Sequence, residues 1–116
     1  MELWKEVLNN LQENYPESLK WNSCDEALIG VVGTYRDNEW VNVALYDYDT
    51  LIEIFHRDFK KEQEENENPD PESDPYTDAL EWVEYNILTA YIGKYTPMYL
   101  VDKQITGVLD TKQPYN

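Results

Sequence analysis

Apolar residues recur at spacings of three and four over residues 2–15. There Leu3, Trp4, Val7, Leu8, Leu11 and Tyr15 share one face of a helix, and Lys5, Glu6, Asn9, Asn10 and Glu13 fill the other. Pro16 ends this helix, because proline disfavours helical geometry in the residue before it. The period then drops to two, and strands are expected over 27–35 and 39–46. The first begins with the apolar run Ala27-Leu28-Ile29-Gly30-Val31-Val32, which predicts cover on both of its faces. In the second, Val41, Val43 and Leu45 share one face, and Trp40, Asn42, Ala44 and Tyr46 the other. Arg36-Asp37-Asn38 supplies turn residues between them, so the pair reads as a β-hairpin. The longer period returns over 49–61, with Leu51, Ile52, Phe55 and Phe59 as the apolar stripe. Asp47 and Asp49 are N-cap candidates, and Thr50 with Glu53 has capping-box spacing. Arg57, Lys60 and Lys61 fall late in this helix, where cations suit the dipole. Asp74-Pro75 predicts the cap and first position of a further helix that runs to about Ile92 and ends at Gly93. Its buried stripe is Leu80, Val83, Ile87 and Tyr91, with Trp82 and Tyr85 on the flanks. Met98 to Val101 reads as a third strand and Ile105 to Leu109 as a short fourth. The order predicts a single α+β domain over 1–110, with three helices packed on a small, mainly antiparallel sheet of three to four strands, and a frayed tail at 111–116.

Between the last two helices the pattern vanishes. Residues 62–75 hold seven acids, three prolines and no apolar side chain. Such a stretch cannot bury surface to offset its ordering entropy, so an acidic, mobile loop is expected. It is the densest part of a strongly acidic chain: 24 Asp and Glu stand against 9 Lys and Arg, a formal net charge of −15, and ten of those acids lie between Glu62 and Glu84. This charge argues against direct binding of nucleic acid and against docking on an anionic membrane. The N-terminus has no basic region followed by an apolar run, and no apolar run approaches the roughly 20 residues of a membrane helix. With Cys24 as its single cysteine the chain cannot form an internal disulfide, which suits a reducing compartment, and a cytoplasmic location is expected.

Candidate catalytic chemistry is sparse, and the expectation is a protein that is not an enzyme and uses no cofactor or metal. His56 is the single histidine, without a second ligand at metal-binding spacing. Cys24 sits beside Asp25 and Glu26, which oppose formation of a thiolate. Gly30 and Gly33 lack the following Lys-Ser or Lys-Thr of a phosphate loop. Asp70, Glu72 and Asp74 alternate as calcium ligands do, but prolines interleave them and no glycine follows. What remains is charge and aromaticity. Ten tyrosines and four tryptophans exceed what so small a core can hide. The expected partner site is therefore Glu62, Glu64, Glu65, Glu67, Asp70, Glu72, Asp74 and Glu81 with Trp82 and Tyr85, facing a basic protein surface such as a nucleic-acid-binding groove. An alternative is a small-ligand pocket lined by Tyr85, Asn86 and Thr96, and a third reading is a homodimer built on surface aromatics.

Two segments carry a resemblance. One runs from Cys24 to Phe55 and includes Tyr46-Asp47-Tyr48-Asp49-Thr50-Leu51-Ile52-Glu53. The other is Ala79-Leu80-Glu81-Trp82-Val83-Glu84-Tyr85-Asn86-Ile87-Leu88-Thr89-Ala90-Tyr91-Ile92-Gly93, followed by Thr96-Pro97. Over about half its length the chain resembles a group of small uncharacterised proteins of bacteriophages, prophages and mobile elements. It departs from that group at Thr50, where Lys is usual, and at Thr89, where Gly is frequent. The resemblance brings no catalytic residue. It implies a phage-type accessory protein in a host cytoplasm. By analogy of type, small acidic phage proteins include nucleic-acid mimics that inhibit host defence proteins, anti-CRISPR proteins among them.

Overall fold

In the computed structural model, residues 2–101 apart from Pro69 are described. Helix α1 spans Leu3–Asn14 and buries Val7 and Leu11. After a short 3-10 turn at Asp25–Ala27, strand β1 (Leu28–Arg36) pairs antiparallel with β2 (Glu39–Asp47), from Leu28 opposite Tyr46 to Arg36 opposite Glu39. The hairpin closes with Asp37 and Asn38, whose φ angles of 52° and 62° are those of a two-residue type I′ turn. Helix α2 (Tyr48–Glu65) follows at once, its start fixed by Asp47, whose carboxylate accepts from the N–H and hydroxyl of Thr50. Helix α3 (Pro75–Val83) packs back along α2 and continues into a single π-helical turn, Glu84–Leu88. Strand β3 (Met98–Leu100) completes a sheet of order β1-β2-β3.

The class is α+β, and four details differ from the sequence pattern. First, β3 pairs parallel with β2, placing Met98 beside Leu45, so the sheet is mixed. Second, α2 runs through Glu65: Lys60 to Glu65 is a run of good helix formers, so nothing breaks the helix before Asn66. The acidic loop is accordingly shorter than expected, and Glu62, Glu64 and Glu65 form the last turn of α2 instead of Lys60 and Lys61. Third, the last helix ends at Leu88, not near Ile92, and Gly93 lies beyond it in a turn with φ of 124°. Fourth, β1 is an edge strand with most of its residues half-buried; Leu28 at its start is buried in the core and Val31 packs against it. The segments expected as a fourth strand (105–109) and a frayed tail (111–116) lie outside the described residues.

The core joins α1, the sheet and the α2–α3 pair through Leu11, Leu28, Ala44, Tyr46, Leu51 and Val83. Tyr46 is fully buried, and its hydroxyl accepts the Trp21 N–H at 2.8 Å. Its ring stacks on Tyr99 of β3 at 6.3 Å, and the Tyr99 hydroxyl accepts the Trp21 indole N–H at 2.7 Å. This network pins the α1–β1 connection to β2 and β3. Val41 and Val43 are buried on the opposite face of the sheet, the face of Arg36 and Glu39. Arg36 donates to the carbonyls of Lys94 and Thr96 at 2.9 and 2.7 Å and lies over the Tyr91 ring, while Glu39 pairs with Lys94 at 2.7 Å. No described helix is long and apolar enough to cross a membrane.

Candidate acidic and aromatic groove

The contact between α2 and α3 is aromatic. Trp82 of α3 meets Phe55 at 6.1 Å and Phe59 edge-on at 6.3 Å, and His56 stands at right angles to Tyr76 at 5.5 Å. Asp74 caps α3, accepting from the Tyr76 N–H and the Thr77 hydroxyl; these bonds, the Thr77 one foremost, hold its carboxyl below its ordinary range. Nearer the body of the protein, Tyr48 donates to Glu84 at 2.8 Å; burial first and this bond second push its phenol up to about 12. Gln63 donates to the carbonyl of Ser73, tying the end of α2 to the loop before α3.

Beside this contact two clefts adjoin. The larger, about 590 Å³, is lined by Glu62, Gln63, Glu65, Asn66, Asp70 and Ser73, together with Phe59 and Asp78. The smaller, about 300 Å³, shares Phe59 and Asp78 and adds Glu81, Trp82, Tyr85 and Asn86. Five acids therefore ring the two clefts and no base lines either. Among the described residues the ion pairs lie elsewhere, at Lys5–Glu2, Arg57–Glu26 and Lys94–Glu39. The acids are spread along the groove: among the described residues no three His, Cys, Asp or Glu side chains form a group that could hold a metal ion. Trp82 is 45% and Tyr85 75% exposed.

The structure thus brings Glu62, Glu65, Asp70, Glu81, Trp82 and Tyr85 into one groove. Glu64, Glu67 and Glu72 are exposed but line neither cleft, and Asp74 serves as a helix cap. Phe59 and Asp78 were not among the expected site residues. The signal for Asp78 is its spacing, three before Glu81 and four before Trp82; Phe59 comes from the other helix, where the apolar stripe marks it only as core.

Of the residues expected to line a small-ligand pocket, Tyr85 and Asn86 line the smaller cleft and Thr96 does not. Asn86 donates to the Trp82 carbonyl, and Thr89 donates to the Tyr85 carbonyl. Both are bonds to the turn before, made where the helix widens, so the Asn86 amide is used by its own backbone. Thr96 is buried in the turn after the helix, where its hydroxyl donates to the Gly93 carbonyl and accepts the Ile92 N–H. Of the isolated candidates, Cys24 is buried, and burial, with Asp25 second, raises its thiol to about 11, against any role as a thiolate. Comparison of the chain with protein-family models, curated proteins and solved structures finds no match.

Proposed function

We propose that this protein acts by binding rather than by catalysis, and that the α2–α3 groove docks the basic surface of a protein partner. The partner class that suits it is a nucleic-acid-handling protein, whose cationic groove the carboxylates would occupy in place of phosphates. The resemblance to phage accessory proteins supplies a setting, inhibition of a host defence factor in the manner of an anti-CRISPR. The observation that carries this reading is the convergence of five acids and two exposed aromatic rings on one groove without a lining base. Charge of one sign focused in a cleft raises the encounter rate of an oppositely charged partner, and exposed Trp and Tyr supply contact area once it arrives.

The test is affinity capture from host lysate, with the retained proteins washed either with salt up to about half molar or with excess duplex DNA. Release of the same protein by both washes, and its loss from a Glu62→Gln, Glu65→Gln, Glu81→Gln variant, is the expected result. Retention that neither wash disturbs would sink the mimic reading.

A further inference from the structure

The outward stripe of α3 and the turn that follows it carries two acids and then two aromatics. Asp78, Glu81, Trp82 and Tyr85 recur at spacings of three and four and so stand over one another, while Ala79, Val83 and Ile87 face the core. The Trp82 ring is held in place by Phe55 and Phe59, which leaves part of it open to the cleft. Tyr85 stands on the π-helical turn, where the bonds of Asn86 and Thr89 to preceding carbonyls stabilise the wide geometry. The smaller cleft therefore places two open rings beside two carboxylates.

That combination selects among occupants. An anion is repelled by Asp78 and Glu81. An apolar group would strip water from those carboxylates without replacing it. An ammonium group can be satisfied by any carboxylate on so acidic a surface, and its compact, hydrated charge has no plane to stack on a ring and no parallel donors for a carboxylate. A guanidinium is planar and weakly hydrated; it stacks on an aromatic face and pairs with a carboxylate through parallel N–H donors. The larger cleft continues the line of acids from Asp78 to Glu62 and Glu65, offering further cation positions along the same segment.

We propose that the smaller cleft is an arginine site, which takes the guanidinium of a basic protein segment against Trp82 and Tyr85 and pairs it with the adjoining carboxylates. This rests on the reading of the groove as a docking surface for a basic protein, and it adds a preference for arginine over lysine that charge alone does not give.

Titration calorimetry of the full chain with hexa-arginine and hexa-lysine peptides, at about 50 mM salt, tests it. The arginine peptide is expected to bind about threefold or more tightly, the scale of an exposed cation–π contact. Trp82→Leu should bring the two affinities together. Because Trp82 also packs on Phe55 and Phe59, Tyr85→Leu is the companion variant, at a side chain outside that cluster, and should reduce the ratio as well. Equal affinities in the unaltered chain, or a ratio that survives both substitutions, overturns the arginine site and leaves docking by charge alone. Failure of both peptides to bind overturns the docking reading too.

Discussion

Glu62, Glu64 and Glu65 lie in the last turn of α2, at the negative end of its dipole, and no base accompanies them there. Near a helix C-terminus a carboxylate costs about 0.3–1 kcal/mol at low ionic strength. Glu62 and Glu65 are also three residues apart, which adds about 0.2–0.5 kcal/mol of repulsion. Lys60 and Lys61, four residues before Glu64 and Glu65, offset part of this, and all three acids are exposed to solvent screening, so the net cost is about 0.5 kcal/mol. Glutamine keeps the length and nearly the helix propensity of glutamate. The variant Glu62→Gln, Glu64→Gln, Glu65→Gln is therefore expected to be more stable, by about 2 °C in Tm for a chain of 116 residues. Calorimetric melts at about 10 mM and 1 M salt check it; the gain should shrink as the Debye length falls from about 30 to 3 Å. Affinity for a basic peptide should move the other way. A cation docked in the groove as proposed would relieve this cost at the end of α2. A variant with unchanged Tm at low salt would refute the repulsion argument. A variant that lost both stability and affinity would show that packing, not charge, had been altered.

Three further outcomes follow from the core and the hairpin. Tyr46→Phe removes the acceptor of the Trp21 N–H, and urea denaturation should show a loss of about 1–2 kcal/mol; an unchanged midpoint would mean that the Trp21 amide finds water. Cys24 has a raised pKa in the folded state, so its contribution to stability is fully present below its ordinary value of 9.0 and is lost as pH rises toward about 11. Denaturant midpoints of the natural chain and Cys24→Ala should converge over that window, and parallel curves would contradict the assignment. At Gly33 an added Cβ would collide with the Trp40 indole, so Gly33→Ala should swing the exposed ring aside and cost about 1 kcal/mol; an unshifted Trp40 indole N–H resonance would show that the ring never lay there.

Much of this fold is legible in the sequence because it rests on local rules. The stripe of α1, the Asp37-Asn38 turn, the Asp47 cap and the Asp74-Pro75 start each depend on a few adjacent residues. The end of α2 was hidden because Lys60 to Glu65 has helix-forming chemistry but no apolar partner to give it a period. The π-helical turn depends on one residue's worth of extra winding, and Ile87 fits the buried stripe of a regular helix equally well. The direction of β3 follows from where the chain after Leu88 re-enters the sheet, which three apolar residues cannot specify. For the groove, the acid and aromatic spacing on α3 could be read directly. The floor could not: Phe59 is 23 residues from Trp82 along the chain and reaches it only when the two helices close.

Strand β1 has a consequence for handling as well as for fold. Its outer edge takes no strand partner among the described residues, and from Leu28 to Tyr35 it carries no charge and no proline. Edges of this kind recruit other strands. What keeps two molecules apart is the shared charge of −15. High salt, which would release the proposed basic partner, also removes that barrier. The concentrated free protein should therefore be colloidally safest in dilute buffer, and the eluate of a salt wash is where strand-to-strand assembly would begin.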